Sequence, residues 1–157
     1  MLDIRDSPHR GRVVRIPIRY IKTKGLVIKV DKSVLKPIIK SLGHSESEGL
    51  WRALHTMSHS FLVRLPQITG LEGTDFGEAL SAKRLEFAVF DNSLGGLGGV
   101  EGVIEGNKLS QNYEWSVREA YKCPLACIRA CKACLYTDSC YMLNWRLDKR
   151  ILEHLGW

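Results

Sequence analysis

The sequence lacks any hydrophobic run long enough to cross a membrane. In 157 residues, no stretch approaches the roughly 18 consecutive apolar residues that a spanning helix needs. The first eight residues, MLDIRDSP, also lack the apolar core of a secretion signal. We therefore expect a soluble, cytoplasmic protein. A composition of 45% hydrophobic and 25% charged residues is typical of a folded domain rather than a disordered chain.

Acidic residues are scarce in the first quarter of the chain. Residues 1–40 contain 11 basic and 3 acidic residues, a net charge of +8, whereas residues 41–157 contain 12 and 14, a net charge of −2. This asymmetry predicts an anionic partner, although a solvated basic face would explain it equally well. The candidate phosphate contacts are six basic residues of this segment: Arg10, Arg12, Arg15, Arg19, Lys22 and Lys24.

Motifs for nucleotide hydrolysis are absent. The segment 90–99, FDNSLGGLGG, fails the G-x-G-x-x-G pattern because Glu101 stands where the last glycine would be. The chain also has no Gly-Lys pair followed by Ser or Thr, so it lacks a P-loop. The loop that contains Gly95, Gly96, Gly98 and Gly99 is instead a candidate backbone nest for an anion.

Hydrophobic periodicity predicts an α+β fold. Alternating residues at 12–20 and 26–30 predict a small β-hairpin that turns at Lys24 and Gly25, and a short helix follows from Ser33 to Gly43. The other predicted elements are a long helix at 50–65, a short helix at 74–81, a strand at 84–90 and helices near 110–121 and 143–155.

The polar segment 43–49 is the predicted domain boundary. It separates a basic N-terminal unit, residues 1–45, from a mainly helical unit, residues 46–157, that has a central strand and a glycine-rich loop.

Cysteine is missing from most of the chain, but five cysteines fall within 18 residues, with the spacing C-x3-C-x3-C-x2-C-x5-C. In a reducing compartment such a cluster indicates a metal site, and four thiolates suit zinc. Cys131 and Cys134 form a short chelate, Cys127 and Cys140 can approach from its flanks, and Cys123 is left over. An iron–sulfur cluster and buried free cysteines on a helix face remain alternatives.

A pair of histidines, His55 and His59, lies at i and i+4 on the predicted long helix. Thr56 follows His55, so the chain lacks the H-E-x-x-H motif of zinc proteases. Asp91, at the end of a predicted strand, is expected to accept a hydrogen bond from one of the two imidazoles. These three residues form a candidate pocket, and the alternative is two buried histidines satisfied by hydrogen bonds.

Three blocks, in series, resemble the MrfA-like zinc-binding domain. They are LHTMSH at 54–59, FDNSLGGLG at 90–98, and the cysteine spacing 127–140 followed by LDK at 147–149. This domain ends many DEAD/DEAH-box superfamily-two helicases and also occurs in DrmB-type antiphage proteins. The resemblance covers roughly residues 50–155. The chain departs from the family at three places: Leu94, Ala130 and the Lys132-Ala133 pair.

The resemblance implies a ligand set and a role. Cys127, Cys131, Cys134 and Cys140 would bind zinc, and His55, His59, Asp91 and the glycines of the loop would line a shared pocket. The motor domains that precede this module in the family are absent from the sequence. We therefore expect a non-catalytic accessory subunit that associates with a separately encoded helicase or translocase. It would help to bind nucleic acid, expected to be DNA, in DNA processing, repair or antiphage defence. The alternatives are a metal-dependent hydrolase or nuclease and a purely structural subunit.

Overall fold

A computed structural model describes residues 22–104, 109–140 and 143–155. The predicted strand at 12–20 and the candidate contacts Arg10, Arg12, Arg15 and Arg19 lie outside the described residues. The described helices and strands, in chain order, are β1 (Gly25–Lys29), α1 (Lys32–Ser41), α2 (Glu46–Leu62), α3 (Leu65–Thr69), β2 (Phe76–Ser81), β3 (Glu86–Asp91), α4 (Gly99–Ile104), α5 (Leu109–Tyr121) and α6 (Arg150–Glu153). The predicted α+β class is confirmed.

The sheet has three antiparallel strands in the order β1-β3-β2. Strand β3 is central because Phe87, Val89 and Asp91 alternate inward and are fully buried. Strand β1, which the sequence analysis paired with residues 12–20, pairs with β3, so that Leu26 lies opposite Val89. The segment before the predicted boundary therefore shares a sheet with the segment after it.

The predicted helix at 74–81 is wrong, because residues 76–81 form strand β2 after a short 3₁₀ turn at Gly73–Asp75. The segment is too short for its helical pattern to outweigh pairing with a buried neighbouring strand. Gly77 favours this pairing, because a Cβ atom at that position would lie 2.6 Å from the Phe90 ring. The absence of a side chain lets the aromatic ring lie across the strand.

Helix α2 is the central element of the core. It packs against α1, the sheet, α5 and α6, and its side chains from Ala53 to Leu62 are buried. It begins at Glu46 rather than at Leu50, because Glu46 and Glu48 in the first turn suit the positive end of the helix dipole. It ends at Leu62, and Pro66 lies in the first turn of α3. None of the described helices is long and apolar enough to cross a membrane.

The predicted C-terminal helix at 143–155 is interrupted. A 3₁₀ turn, Asn144–Arg146, and the short helix α6 are separated by Leu147 and Asp148. The Asp148 carboxylate is fully buried and accepts two hydrogen bonds from the Arg150 side chain, at 2.8 Å and 2.5 Å. The backbone N–H of Asp148 donates to the Thr56 hydroxyl at 3.0 Å. These hydrogen bonds stabilise the break at Asp148 more than a continuous helix would, and the bond to Thr56 attaches the C-terminal segment to α2.

Two candidate metal centres

The first candidate centre is a group of four sulfurs, which we call the four-cysteine cluster. The Sγ atoms of Cys123, Cys127, Cys131 and Cys134 all lie within 4.8 Å of one another. The Cys123–Cys131, Cys127–Cys134 and Cys131–Cys134 sulfur distances are 3.4, 3.6 and 3.8 Å. Zinc–sulfur bonds of about 2.3 Å put the corners of a tetrahedron about 3.8 Å apart. The cluster is therefore compatible with a zinc site.

Turns rather than helices or strands position these sulfurs. Residues 122–137 contain neither helix nor strand. The Ala126 N–H donates to the Cys123 carbonyl at 3.0 Å, and Ala126 has a left-handed φ of 47°, so the chain reverses between Cys123 and Cys127. In the second turn, the Cys131 N–H donates to the Cys134 sulfur at 3.2 Å. Each turn brings two sulfurs to the same centre.

The thiols of the cluster differ in acidity. Burial raises the pKa of Cys134 and of Cys127. Burial also acts to raise the pKa of Cys123, but hydrogen bonds from the backbone N–H groups of Cys127 and Leu125 outweigh it and lower that pKa to about 6. The Cys123 thiolate is therefore available at neutral pH, whereas the Cys127 and Cys134 thiols need a cation to stabilise their charged form.

The structure groups the cysteines differently from the predicted ligand set. The sequence analysis assigned Cys140 to the zinc ligands and left Cys123 over, but Cys123 completes the four-cysteine cluster and Cys140 lies in a different group. Helix α5 ends at Tyr121, and the turn that follows directs Cys123 back toward Cys131. Cys140 ends a 3₁₀ turn, Asp138–Cys140, and its sulfur lies 3.3 Å from the His55 Nε2 atom.

The second group, which we call the mixed site, consists of His55, His59, Glu78 and Cys140, whose donor atoms also lie within 4.8 Å of one another. Helix α2 supplies both histidines, β2 supplies Glu78, and the 3₁₀ turn supplies Cys140. The Glu78 Oε1 atom lies 3.2 Å from His55 Nε2 and 3.1 Å from His59 Nε2. Both imidazoles are buried, with 1% and 0% of their side chains exposed.

Glu78 supplies a negative charge to the mixed site. Burial acts to raise the pKa of Glu78, but the adjoining His55 and His59 imidazoles outweigh it and lower that pKa to about 2. Burial and the neighbouring Glu78 carboxylate raise the pKa of Cys140 to about 11. The group therefore contains a buried carboxylate beside a thiol that stays protonated unless a cation lies next to it.

Asp91 does not take the predicted place beside the histidines. Its carboxylate is fully buried and accepts from the backbone N–H groups of Leu97, Gly98 and Val100 at 2.9, 3.0 and 3.1 Å. Asp91 thus holds the glycine-rich loop, and the amides expected to bind an external anion already bind the chain's own carboxylate. The carboxylate beside the histidines belongs to Glu78.

The glycine-rich loop depends on its glycines at a few positions. Gly95, Gly96 and Gly98 have φ values of 80°, 80° and 79°, in the left-handed region that side chains disfavour. At Gly96 a Cβ atom would also lie 3.0 Å from the Asp91 Oδ2 atom. These glycines therefore allow the loop backbone to come close to the Asp91 carboxylate.

Sequence reasoning missed Glu78 because residues 74–81 were assigned to a helix. In the observed register Glu78 lies opposite Val89, whose side chain is fully buried. A carboxylate opposite a buried residue of the central strand needs a polar or charged partner. Recognition of β2 as a strand would have indicated that Glu78 points toward the core.

Of the six predicted phosphate contacts, two lie within the described residues. Lys22 is exposed, and its carbonyl accepts from the Gly95 N–H at 2.8 Å. The Lys24 ammonium forms an ion pair with Glu101 at 2.5 Å, with about half of each side chain exposed. Lys24 is thus already paired within the chain, whereas Lys22 lies at the surface.

Comparison of this chain with protein-family models, with curated proteins and with solved structures finds no match.

Proposed function

We propose that this chain is a non-catalytic zinc-binding module that acts as an accessory subunit in nucleic-acid processing. The observation that carries the proposal is the four-cysteine cluster, whose sulfurs have the spacing of a tetrahedral zinc site. A zinc ion held by four protein ligands has no open position for substrate, so its role is structural. Iron bound by the same thiolates is the alternative that metal analysis of the purified protein distinguishes.

A structural role also suits the segment that holds the cluster. Residues 122–137 have no helix or strand of their own, yet Leu135 within them is fully buried in the core. Ordering such a segment costs backbone entropy that few hydrogen bonds return. A metal bound to four of its side chains would supply the missing free energy.

The charge asymmetry supports a nucleic-acid partner. The net charge of +8 in residues 1–40 provides the sequence-independent attraction that phosphate backbones require. Because Lys24 is paired with Glu101, the arginines at 10, 12, 15 and 19 are the main candidates for phosphate contacts.

A surface groove beside the four-cysteine cluster offers a second contact. The groove has a volume of about 1070 Å³, and Trp145, Arg64 and Lys132 are among its lining residues, together with Glu72 and Asp138. Trp145 is 60% exposed, and the Arg146 guanidinium lies 4.8 Å from the centroid of its ring. An exposed indole in a groove with cationic lining residues suits stacking with the bases of a single strand.

Charge reversal tests the nucleic-acid proposal. We expect the triple variant Arg12→Glu, Arg15→Glu, Arg19→Glu to bind single-stranded DNA at least tenfold more weakly in fluorescence anisotropy. The slope of log affinity against log salt should also decrease by about one for each lost phosphate contact. The matched control is Lys83→Glu, Arg84→Glu, Arg118→Glu, which changes the charge by the same amount at three exposed positions outside residues 1–40.

The control separates a local contact from net charge. Equal losses in both variants would indicate nonspecific attraction by the whole chain, and no loss in the arginine variant would leave the purely structural subunit as the better function. Trp145→Ala should lower affinity without changing the salt slope if the groove stacks bases.

The proposed partner in trans is a helicase or translocase. Since the chain lacks a P-loop, the tagged protein should co-purify from its native host with a polypeptide that contains motor motifs, identified by mass spectrometry. Recovery of the chain without any motor protein, under conditions that preserve its metal, would contradict the accessory role.

The hydrolase alternative has less support. Its predicted carboxylate, Asp91, accepts hydrogen bonds from the glycine-rich loop instead. Cys140 would be the fourth protein ligand of the mixed site, whereas a catalytic zinc site keeps its fourth position for water.

A further inference from the structure

We propose that His55, His59, Glu78 and Cys140 bind a second divalent metal ion, zinc by its ligand chemistry, in a closed site distinct from the four-cysteine cluster. The inference goes beyond the proposed function, because it uses different ligands on different elements. It rests on the spacing of the four donor atoms, on the hydrogen bonds that orient them and on their charge.

The spacing of the donor atoms matches a tetrahedral ion. Zinc bonds of about 2.0 Å to nitrogen or oxygen give tetrahedral edges of about 3.3 Å, and bonds to sulfur give slightly longer ones. The observed separations are 3.1 Å and 3.2 Å between Glu78 Oε1 and the two Nε2 atoms, and 3.3 Å between His55 Nε2 and the Cys140 sulfur. These separations, with all four donor atoms within 4.8 Å of one another, are compatible with one tetrahedral centre.

Hydrogen bonds orient two of the ligands, His59 and Glu78, as they do in metal sites. The His59 Nδ1–H donates to the Leu135 carbonyl oxygen at 2.8 Å, which holds the ring with its Nε2 atom directed into the site. The Ser58 hydroxyl donates to Glu78 Oε2, which leaves Oε1 for the centre. The Trp51 ring packs against the His55 ring, with 4.6 Å between the ring centroids, and the buried His55 Nδ1 atom has no hydrogen-bond partner among the described residues.

The charge of the four donors suits a divalent cation. With its Nδ1 atom at the Leu135 carbonyl, His59 turns Nε2 toward Glu78 Oε1 at 3.1 Å, so one ion between these atoms would bind both. Two neutral imidazoles, one carboxylate and one thiolate carry a total charge of −2, which a divalent cation neutralises. A buried site of zero net charge avoids the large penalty of an unpaired buried ion.

The ligand set selects the metal class. Two nitrogens, one oxygen and one sulfur suit a borderline ion, and zinc accepts all three donor types in tetrahedral geometry. Calcium and magnesium prefer oxygen ligands only, so they are excluded. Because four protein atoms fill the tetrahedron, the ion would link α2, β2 and the Asp138–Cys140 turn rather than activate water.

Metal counting tests the inference. By native mass spectrometry of the full chain, we expect two zinc ions per wild-type molecule, and one in each of Glu78→Gln and Cys140→Ser. The first control is Glu86→Gln, which changes a carboxylate of β3 that pairs with Arg84. The second control is His154→Ala, at an exposed histidine. Both controls should keep two ions. A single ion in the wild type, unchanged in Cys140→Ser, would overturn the proposal.

Cobalt substitution keeps the test decisive if a variant fails to fold. In the wild-type protein, two equivalents of Co²⁺ should produce two tetrahedral spectra, of which one has the weaker thiolate charge-transfer band expected for a single sulfur ligand. One spectrum with four-thiolate character would exclude the mixed site and leave the four-cysteine cluster intact. One spectrum with single-thiolate character would exclude the cluster and retain the mixed site, so the two proposals fail separately.

Discussion

Cys134→Ala should cost on the order of 10 kcal/mol of folding free energy in the C-terminal third of the chain, the scale of structural zinc in small domains. The Cys134 sulfur lies 3.6 Å from Cys127 and 3.8 Å from Cys131, and only 2% of the residue is exposed. With zinc in the proposed site, loss of this ligand would remove one metal bond and leave three thiols to hold the ion. Residues 122–137 should then lose their order, because they have no helix or strand to retain it.

Hydrogen exchange, thermal unfolding and metal content measure this effect. The amides of 122–137 should exchange at nearly unprotected rates in Cys134→Ala, whereas Lys132→Ala, an exposed position within the same turn, should behave as the wild type. Cys123→Ala should be as severe as Cys134→Ala, because the structure includes both sulfurs in the cluster. A mild Cys123→Ala variant that keeps the cluster's metal would contradict this ligand set.

Asp91→Ala should have the next largest effect, a loss of roughly 3–5 kcal/mol, because hydrogen bonds to a charged group contribute about 1.5–3 kcal/mol each and are not fully additive. The carboxylate accepts from three backbone N–H groups of the glycine-rich loop. One of these, the Val100 N–H, belongs to the first turn of α4 and is buried. Without the carboxylate the loop opens and α4 loses its N-terminal acceptor.

Chemical denaturation of three variants separates the charge from the side-chain volume. Asp91→Asn keeps the shape but turns one acceptor into a donor that faces the loop amides, so it should lose most of the same free energy. Asn92→Ala removes only an exposed bond to the Thr74 carbonyl and should change stability by less than about 1 kcal/mol. Equal stability of Asp91→Ala and the wild type would mean that the loop does not depend on this carboxylate.

Local pattern predicted much of the architecture. The apolar stripe of α2, the alternation of β3 and the helix near 110–121 follow from periods of 3.6 and 2 residues, which depend on the chain alone. The helix starting near Ser33 was also predicted, and its Asp31 cap, which accepts from the Ser33 N–H at 2.8 Å, is a sequence-local feature. The concentration of cysteines likewise indicated a metal site before any fold was known.

Tertiary structure alone decided which side chains meet. Spacing did not decide between Cys123 and Cys140: the turn after α5 brings Cys123 to the four-cysteine cluster, and the Asp138–Cys140 turn places Cys140 in the mixed site. Glu78 reaches the histidines, and Asp91 the loop amides, because strand register sets the face and position of each carboxylate. Contacts between residues far apart in the chain depend on how whole elements pack, and neither composition nor periodicity contains that information.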